Sequence, residues 1–302
     1  MSENELFSGV VAVDKPSGMT SHDVVYRLRR LYGTKQVGHT GTLDPMASGV
    51  LVVLIGRAVK ATEDISSATT GYRATLRLGL TTDTEDITGA VLSESTDIPP
   101  VDKVKEVCER FVGDIMQVPP MYSALKVNGQ KLVDLARKGI TVEREARKIT
   151  VHSLSCDETA SKTDFILDVS CSGGTYIRTL CADIGKELGC GGVMATLRRT
   201  RAGGFSIDGA VTLEQLAEMS EEEKLGLLIP TERLFEELPA VTLPEFYYKL
   251  CSSGCEIYQK KIRTALPLGT RVRLYSPERE FFALGEVREY PDGTAIKAIK
   301  RL

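Results

Sequence analysis

A lone carboxylate, Asp44, sits in the stretch QVGHTGTLDPMASGVLVVLIG, Gln36 to Gly56, where a glycine-punctuated loop runs into an almost purely apolar segment. A carboxylate held at the end of a fixed element can act as a nucleophile or a general base. Gly38 and Gly41 let the main chain bend and approach a ligand. Pro45 keeps Asp44 out of the helical region, so that its side chain projects. The competing reading on spacing alone is a turn aspartate that hydrogen-bonds its own backbone. Three further segments carry groups of chemical interest. In CSGGTYIRTLCADIG, Tyr176 and Arg178 stand where two glycines give way to a helix start, a place that binds anions, and an arginine there pairs with a carboxylate or phosphate. In GYRATLRLG, Tyr72 falls early on an alternating strand, with Arg73 and Arg77 sharing one face; a tyrosine can stack on a nucleobase. In PPMYSALKVNGQKLVDLARKG, proline stiffness is followed by Lys126, Lys131, Arg137 and Lys138, a basic protrusion suited to a sugar-phosphate backbone. Each also has an ordinary reading: a surface arginine, a core tyrosine, a solvated loop.

Other chemistries fit less well. There is no GxxxxGK[ST] or GxGxxG loop for a nucleotide, and His39 with Asp44 lacks the partner histidines of a metal site. The GHTG of Gly38–Gly41 bears a faint likeness to nucleotidylyltransferase loops, a reading that requires a nucleoside triphosphate and a divalent metal.

The elements that must position these groups can be read along the chain. A strand covers Val10 to Val13 and ends at Asp14-Lys15-Pro16. TSHDVVYRLRRLYG then predicts a helix with Ser21 as N-cap, an apolar stripe of Val24, Val25, Leu28 and Leu31, and Gly33 as its stop. GVLVVLIG is a buried strand, RAVKATEDISSA a helix, GYRATLRLG a strand with one wet face. After a polar, turn-rich stretch come an amphipathic helix in PPVDKVKEVCERFVG, the basic protrusion with a short helix from Lys131, and strands near 148–156 and 164–171. A helix in GGTYIRTLCADIGKELG and an extended VMATLRRTRAGGFS follow. Acidic helices at 212–228 lead to PAVTLPE (239–245), read as a linker. Beyond it lie a small helix and strands near 270–275, 281–288 and 295–300, a mostly β unit.

With 302 residues, 42% apolar and 26% charged, the chain has the size of about two domains and the balance of an ordinary globular protein. No apolar run approaches the roughly 20 residues that span a bilayer. MSENELFSGVV lacks the basic-then-apolar pattern of a secretion signal, so a cytoplasmic protein is expected. Seven cysteines without a CxxC pair read as free thiols in a reducing compartment. Net charge is −3, yet residues 249–302 carry eleven Lys/Arg against six Asp/Glu and residues 120–152 seven against three. Segregated basic segments let a slightly acidic protein bind nucleic acid through one face.

Five segments in one order, KPSGMTSHDVV, VGHTGTLDPMASGVLVVLIGRAVK, YRATLRLGLTTDTED, PPMYSALKVNGQKLVDLARKG and GGTYIRTLCADIGKELG, resemble the motif blocks of the TruB family of tRNA pseudouridine synthases. The resemblance runs from about Gly9 to Ser206. It implies an α+β fold: a catalytic domain (residues 1–239) around a mostly antiparallel mixed sheet, with a thumb-like RNA-binding insertion at about 119–148, and a small β-rich PUA-like RNA-binding domain (240–302). It implies isomerisation of uridine 55 in the tRNA T-arm, with no cofactor, no metal and a monomeric enzyme. The family's catalytic aspartate falls on Asp44, its base-stacking tyrosine on Tyr72 and its carboxylate-pairing arginine on Arg178. Leu197 falls on an apolar contact to the base, Tyr176 beside Arg178 in the pocket, and His39 on the histidine that occupies the space left by the extruded nucleotide. Lys15 matches a position near the pocket, and Asp86 a polar position that meets the RNA. Whether Asp44 attacks uracil carbon 6, attacks ribose carbon 1′ or removes the 2′ proton is left open by the residues. Tyr72 is the first candidate for the base that takes the carbon-5 proton. A non-catalytic tRNA binder on the same scaffold is the alternative function.

Overall fold

A computed structural model describes residues 7–64, 69–127 and 129–302. Strand β1 (Gly9–Lys15) leads through a turn into α1 (Ser21–Leu31), then β2 (Val37–His39) and β3 (Ser48–Ile55). The helix cap is Thr20 rather than Ser21: Thr20 accepts from the Asp23 amide, and the Asp23 carboxylate accepts from the Thr20 amide, a capping box. Ser21 is instead buried and turned toward the Asp44 loop. The apolar run of β3 is continuous because both its faces are covered. Leu51, Val53 and Ile55 pack under Val24, Val25 and Leu28 of α1, while Val50 and Val52 pack with Val10, Ala12 and Ala202 on the other side. The helix expected in RAVKATEDISSA is a 3₁₀ segment, Gly56–Asp64, and residues 65–68 of that expectation lie outside the described residues.

Next come β4 (Thr70–Leu78), a side hairpin of β5 (Leu80–Thr82) and β6 (Val91–Glu94), α2 (Val101–Arg110) and β7 (Gly113–Gln117). The basic segment forms a small hairpin, β8 (Lys126–Val127) with β9 (Gln130–Lys131), and a short α3 (Leu132–Ala136). It is an insertion between β7 and its antiparallel partner β10 (Arg147–Glu158). β11 (Asp164–Cys171), α4 (Ile177–Glu187), β12 (Gly192–Ala202) and β13 (Phe205–Ser206) complete the large sheet, and α5 (Leu213–Glu218) and α6 (Glu221–Gly226) follow.

The large sheet has the order β1-β3-β12-β4-β11-β10-β7, with β2 on β3 and β13 on β12. Every pairing is antiparallel except β12 with β3. That parallel contact is tight. Gly49 has φ +105°, and a Cβ there would lie 2.2 Å from the Arg199 carbonyl oxygen. The loop ahead of β3 is thereby set beside β12. Helices α2 and α4 cover the β4–β11–β10 region through Val104, Val107, Leu180, Cys181 and Ile184, packed on Leu76, Leu78, Leu167 and Val169. Arg73 and Arg77 do share the wet face of β4, opposite Tyr72, where they pair with Asp168 and Asp164 at 2.8 and 2.7 Å. They are thus ion-paired and turned away from the site.

The expected linker opens with a strand. β14 (Ala240–Thr242) pairs parallel to β16 (Arg271–Tyr275) in a second, five-stranded sheet of order β14-β16-β17-β18-β15, with β15 (Ile257–Tyr258), β17 (Phe281–Tyr290) and β18 (Gly293–Arg301). With α7 (Glu245–Ser252) it encloses its own core of Val241, Leu243, Cys251, Val272, Leu274 and Ile296. Phe235, Leu284, Leu54 and Ala58 join the two units.

Candidate active site

The Asp44 loop is held from outside itself. Ser21 Oγ accepts from the Leu43 amide at 2.8 Å and lies 3.1 Å from the Leu43 carbonyl. The Gly18 amide donates to the Pro45 carbonyl at 2.7 Å, and Ser17 Oγ to the Met46 carbonyl at 2.8 Å. Lys15, fully buried, donates to the carbonyls of Met19 (2.6 Å), Pro16 (2.9 Å) and Pro45 (3.4 Å). The segment DKPSGMTS is therefore a clamp on the residues flanking Asp44. Burial pulls the Lys15 ammonium down from 10.5 to about 8, with Asp44 acting in the opposite direction. Gly41 has no positive φ, and a Cβ there would meet Arg199 Nη1 at an ordinary contact distance of 3.4 Å, so the glycine here is not demanded by strain or crowding.

Arg178 comes from the first turn of α4. The helix start is fixed by Gln117, whose side-chain oxygen accepts from the Tyr176 amide at 2.9 Å and whose side-chain nitrogen donates to the Tyr176 carbonyl at 3.1 Å. The Arg178 guanidinium is 6% exposed and is fully used. Nε meets Asp44 Oδ2 at 2.9 Å, Nη2 donates to the Tyr122 carbonyl at 2.8 Å, and Nη1 donates to the Thr84 carbonyl at 3.0 Å. Asp86 stands behind it, 3.7 Å from Nη1. Asp86 Oδ1 accepts from Thr84, the Thr88 amide and the Thr88 hydroxyl. Asp44, 36% exposed, is the member of this group that faces out.

It faces a cleft of about 550 Å³, within the roughly 300–1,000 Å³ range of small-molecule sites. Asp44, Tyr72, Tyr176, Arg178 and Leu197 line it, with Tyr122, Ser123 and Arg199. Tyr72 on β4 pairs with Arg199 on β12, two residues beyond Leu197, so the two strands form one floor. Burial pushes the Tyr72 phenol up, with Arg199 opposing. The ring offers a flat face toward the cleft and the phenol a polar tip. Burial also raises the Tyr176 phenol.

The remaining three residues singled out in the sequence do not line the cleft. Lys15 and Asp86 sit behind its wall, Lys15 against the Asp44 loop and Asp86 against Arg178, so Asp86 is buried rather than presented to RNA. His39 ends β2 just before the loop. Burial and then Arg199 lower its imidazole, and its buried Nδ1 has no hydrogen-bond partner among the described residues. Arg199, in LRRTR, is a further residue of the cleft: it is 4% exposed and donates to the carbonyls of Val50 (2.7 Å) and Gly41 (3.1 Å). The signal available was its spacing, two residues from Leu197 on a strand. Nothing in the sequence marked Gln117 or Ser21 as fasteners. Among the described residues no group of three or more His, Cys, Asp or Glu is arranged to hold a metal ion. No helix among them is long and apolar enough to cross a membrane.

The N-terminal domain profile of TruB family pseudouridylate synthases matches residues 29–177, and the tRNA pseudouridylate synthase B C-terminal domain profile matches residues 178–236. A tRNA pseudouridine synthase B of Alkaliphilus oremlandii is 42% identical over 297 residues, 98% of each chain. The chain belongs to the TruB family of pseudouridylate synthases. A second relative, tRNA pseudouridine synthase B of Aromatoleum aromaticum, is 41% identical over 302 residues, 99% of this chain and 94% of that one. Among solved structures, a Cbf5-Nop10-Gar1 complex contains a chain with TM-score 0.76 and 28% identity, covering 99% of this chain and 85% of that one. An H/ACA RNP bound to a substrate RNA containing 2′-deoxyuridine contains another, at TM-score 0.73 and 26% identity, covering 97% and 84%. The TruB family profiles end before the sheet that opens at Ala240, whereas the structural likeness to the Cbf5-Nop10-Gar1 complex spans it.

Proposed function

We propose that this chain converts uridine 55 in the T-arm of tRNA to pseudouridine, with Asp44 as the reacting carboxylate. The observation that carries the reading is the Asp44–Arg178 ion pair, 2.9 Å long, set in a cleft floored by Tyr72 and Leu197. The two curated relatives named above are both tRNA pseudouridine synthases B and are aligned over nearly their whole length, which supports tRNA as the substrate.

The target base is stacked in a folded loop and must be everted, at a cost of a few kcal/mol. His39, neutral because burial and Arg199 disfavour its protonation, is an uncharged filler for the vacated space. Tyr72 stacks under the everted ring, a contact worth about 1–3 kcal/mol per base. Arg178 stabilises the Asp44 carboxylate by direct charge pairing, and its other donors are taken by fixed carbonyls, so it cannot swing away. The C1′–N1 bond breaks and a C1′–C5 bond forms; C5 loses a proton and N1 gains one. Arg178 is buried and Leu197 gives the cleft an apolar wall, so a base seated there excludes water from the exposed Asp44 side and strengthens the ion pair. The hairpin and short helix between β7 and β10 serve as an RNA-gripping thumb. Residues 240–302 serve as a PUA-like RNA-binding domain of a monomeric, cytoplasmic enzyme that needs no cofactor.

The test is tritium release from tRNA labelled at uracil carbon 5. Asp44→Asn is expected to abolish release while tRNA affinity stays within a few-fold of wild type. Substantial release by a pure variant would remove Asp44 from the chemistry. Mapping pseudouridine in a treated, unmodified transcript checks the target position, and modification elsewhere would refute the T-arm assignment.

A further inference from the structure

Arg199 stands where the elements of the cleft meet. It is buried in the cleft lining beside Asp44, Tyr72 and Leu197. In the large sheet β12 lies between β3 and β4, so no main-chain ladder joins the Asp44 loop to the strand of Tyr72. The Cα partners of Arg199 are Gly49 on β3 and Tyr72 on β4. Residues directly opposite on antiparallel neighbours share a face, with Cβ atoms about 5 Å apart, so the two side chains leave the sheet together. The guanidinium then reaches both ways. Nε donates to the Val50 carbonyl of β3 at 2.7 Å, and Nη2 to the Gly41 carbonyl in the loop that leads to Asp44 at 3.1 Å. On the other side lies the Tyr72 phenol, where the Arg199 charge and a side-chain hydrogen bond oppose the upward push of burial. A guanidinium has only donors, so the phenol oxygen is the acceptor of that bond and its hydrogen is left for another partner.

We propose that Arg199 is a positioning residue that ties the Tyr72 ring to the Asp44 loop, so that the stacking surface and the reacting carboxylate keep one spacing while the everted base is detached and turned. This rests on the pseudouridine-forming reading above. Strand pairing fixes where Tyr72 leaves the sheet but not the tilt of its ring; a bond to the phenol tip fixes the tilt. The reaction needs that tilt twice, because the base must present first N1 and then C5 to the same ribose carbon. A misplacement of about 1 Å can cost on the order of a hundredfold in rate. The planar fork of an arginine suits the task, since its nitrogens diverge toward acceptors on separate elements; a lysine ammonium is a compact point on a flexible stem. The same burial argues against a phosphate anchor. A guanidinium 4% exposed, with its donors spent on the protein, has little to offer a solvated RNA backbone.

The experiment is a double-mutant cycle on the full chain: wild type, Arg199→Lys, Tyr72→Phe and the double variant, each assayed for single-turnover conversion at saturating tRNA and for tRNA affinity. Arg199→Lys keeps the charge and loses the fork; it is expected to slow conversion roughly tenfold or more while affinity stays within about threefold. Tyr72→Phe keeps the ring and removes the acceptor, so in that background the same change is expected to cost about threefold or less. A guanidinium that only held the Val50 and Gly41 carbonyls would slow both backgrounds alike, and that result overturns the proposal. So does an Arg199→Lys variant as fast as wild type, or one that loses only affinity. A general loss of stability acts on both backgrounds, so the comparison stands even if Arg199→Lys is less stable. A second readout needs no turnover and decides the matter if Tyr72→Phe is too slow to measure. Difluorotyrosine incorporated in place of Tyr72 gives a more acidic phenol that is followed by its absorbance. It is expected to titrate at higher pH in Arg199→Met than in the otherwise wild-type chain; an unchanged midpoint overturns the contact and the proposal with it. A wild type that converts no tRNA uridine removes the functional reading, and the titration still reports whether Arg199 holds the phenol. An active wild type with both backgrounds slowed alike removes the Arg199 role alone.

Discussion

Lys15 carries a positive charge into a fully buried position and spends its donors on main-chain carbonyls. Its ordinary value of 10.5 is pulled to about 8 by burial. Below about 8 folded and unfolded chains both hold the proton, and the cost of burying the ammonium is present in full. Between about 8 and 10.5 the folded chain sheds the proton first, so this residue's contribution to stability rises with pH and is lost again as pH falls through about 8. A neutral amine has fewer donors for its three carbonyls and no attraction to Asp44. Turnover should therefore fall with an apparent pKa near 8. Lys15→Met should be slow, less stable and flat over that range. The check is a pH–rate profile beside direct titration of the Lys15 side chain by NMR; an amine that titrates at 10 or above would refute it. Arg199 acts on the same neighbourhood: its charge disfavours protonation of Lys15 and His39 and favours ionisation of the Tyr72 phenol.

Helix α4 sets the geometry of the site because it carries Arg178 and sits directly on β12, which carries Leu197 and Arg199. The two pack tightly at Gly185, where an added Cβ would lie 2.1 Å from the Gly192 amide nitrogen and 2.3 Å from the Gly191 carbonyl carbon. Those are backbone atoms and cannot step aside as a side chain can. Gly185→Ala should cost about 3 kcal/mol or more and depress turnover with it, since α4 can only relieve the clash by moving Arg178. Chemical denaturation gives the first quantity. A midpoint within error of wild type would show that the helix and strand have slack. The expectation of Ser21 as a cap failed at this scale for a local reason. Thr20 and Ser21 are both good caps, and the Asp23 carboxylate closes the box on Thr20, which frees Ser21 for Leu43.

At the scale of the molecule, net charge is −3 while basic residues gather in the β7–β10 insertion and the last sheet. If tRNA lies along that side, affinity must depend on salt through counterion release, with a slope of about −0.9 per phosphate contact. Replacing Lys126 and Lys138, which flank a small hollow at the hairpin, by Ala should weaken tRNA binding, lower the salt slope by about 2, and leave single-turnover rate at saturation nearly unchanged. An unchanged slope would place the RNA elsewhere. The two units do not meet as bare polar surfaces. Phe235, Phe281, Leu284 and Leu302 pack on Leu54, Ala58 and Val59, so the second sheet is seated on the end of β3 and the 3₁₀ segment.

Local pattern was enough for much of this. The alternation of GYRATLRLG, the unbroken branched run of GVLVVLIG and the stripe of α1 follow from side-chain period, and a structure built on those periods has the strands where the pattern puts them. Asp44, Tyr72 and Arg178 were legible as residues with chemistry, from their types and from the motif blocks around them. Their meeting was not. Residues 44 and 178 come within 2.9 Å only because β12 returns parallel to β3 while running antiparallel to β4. Period and propensity carry no information about such a long-range choice. For the same reason sequence could not separate a residue in the cleft from one behind it. Asp86 and Lys15 carry charges that suggest contact with RNA, and only the packed structure turns one onto Arg178 and the other onto the carbonyl of Pro45. Burial decides which charges face a ligand, and burial is a property of the assembled fold.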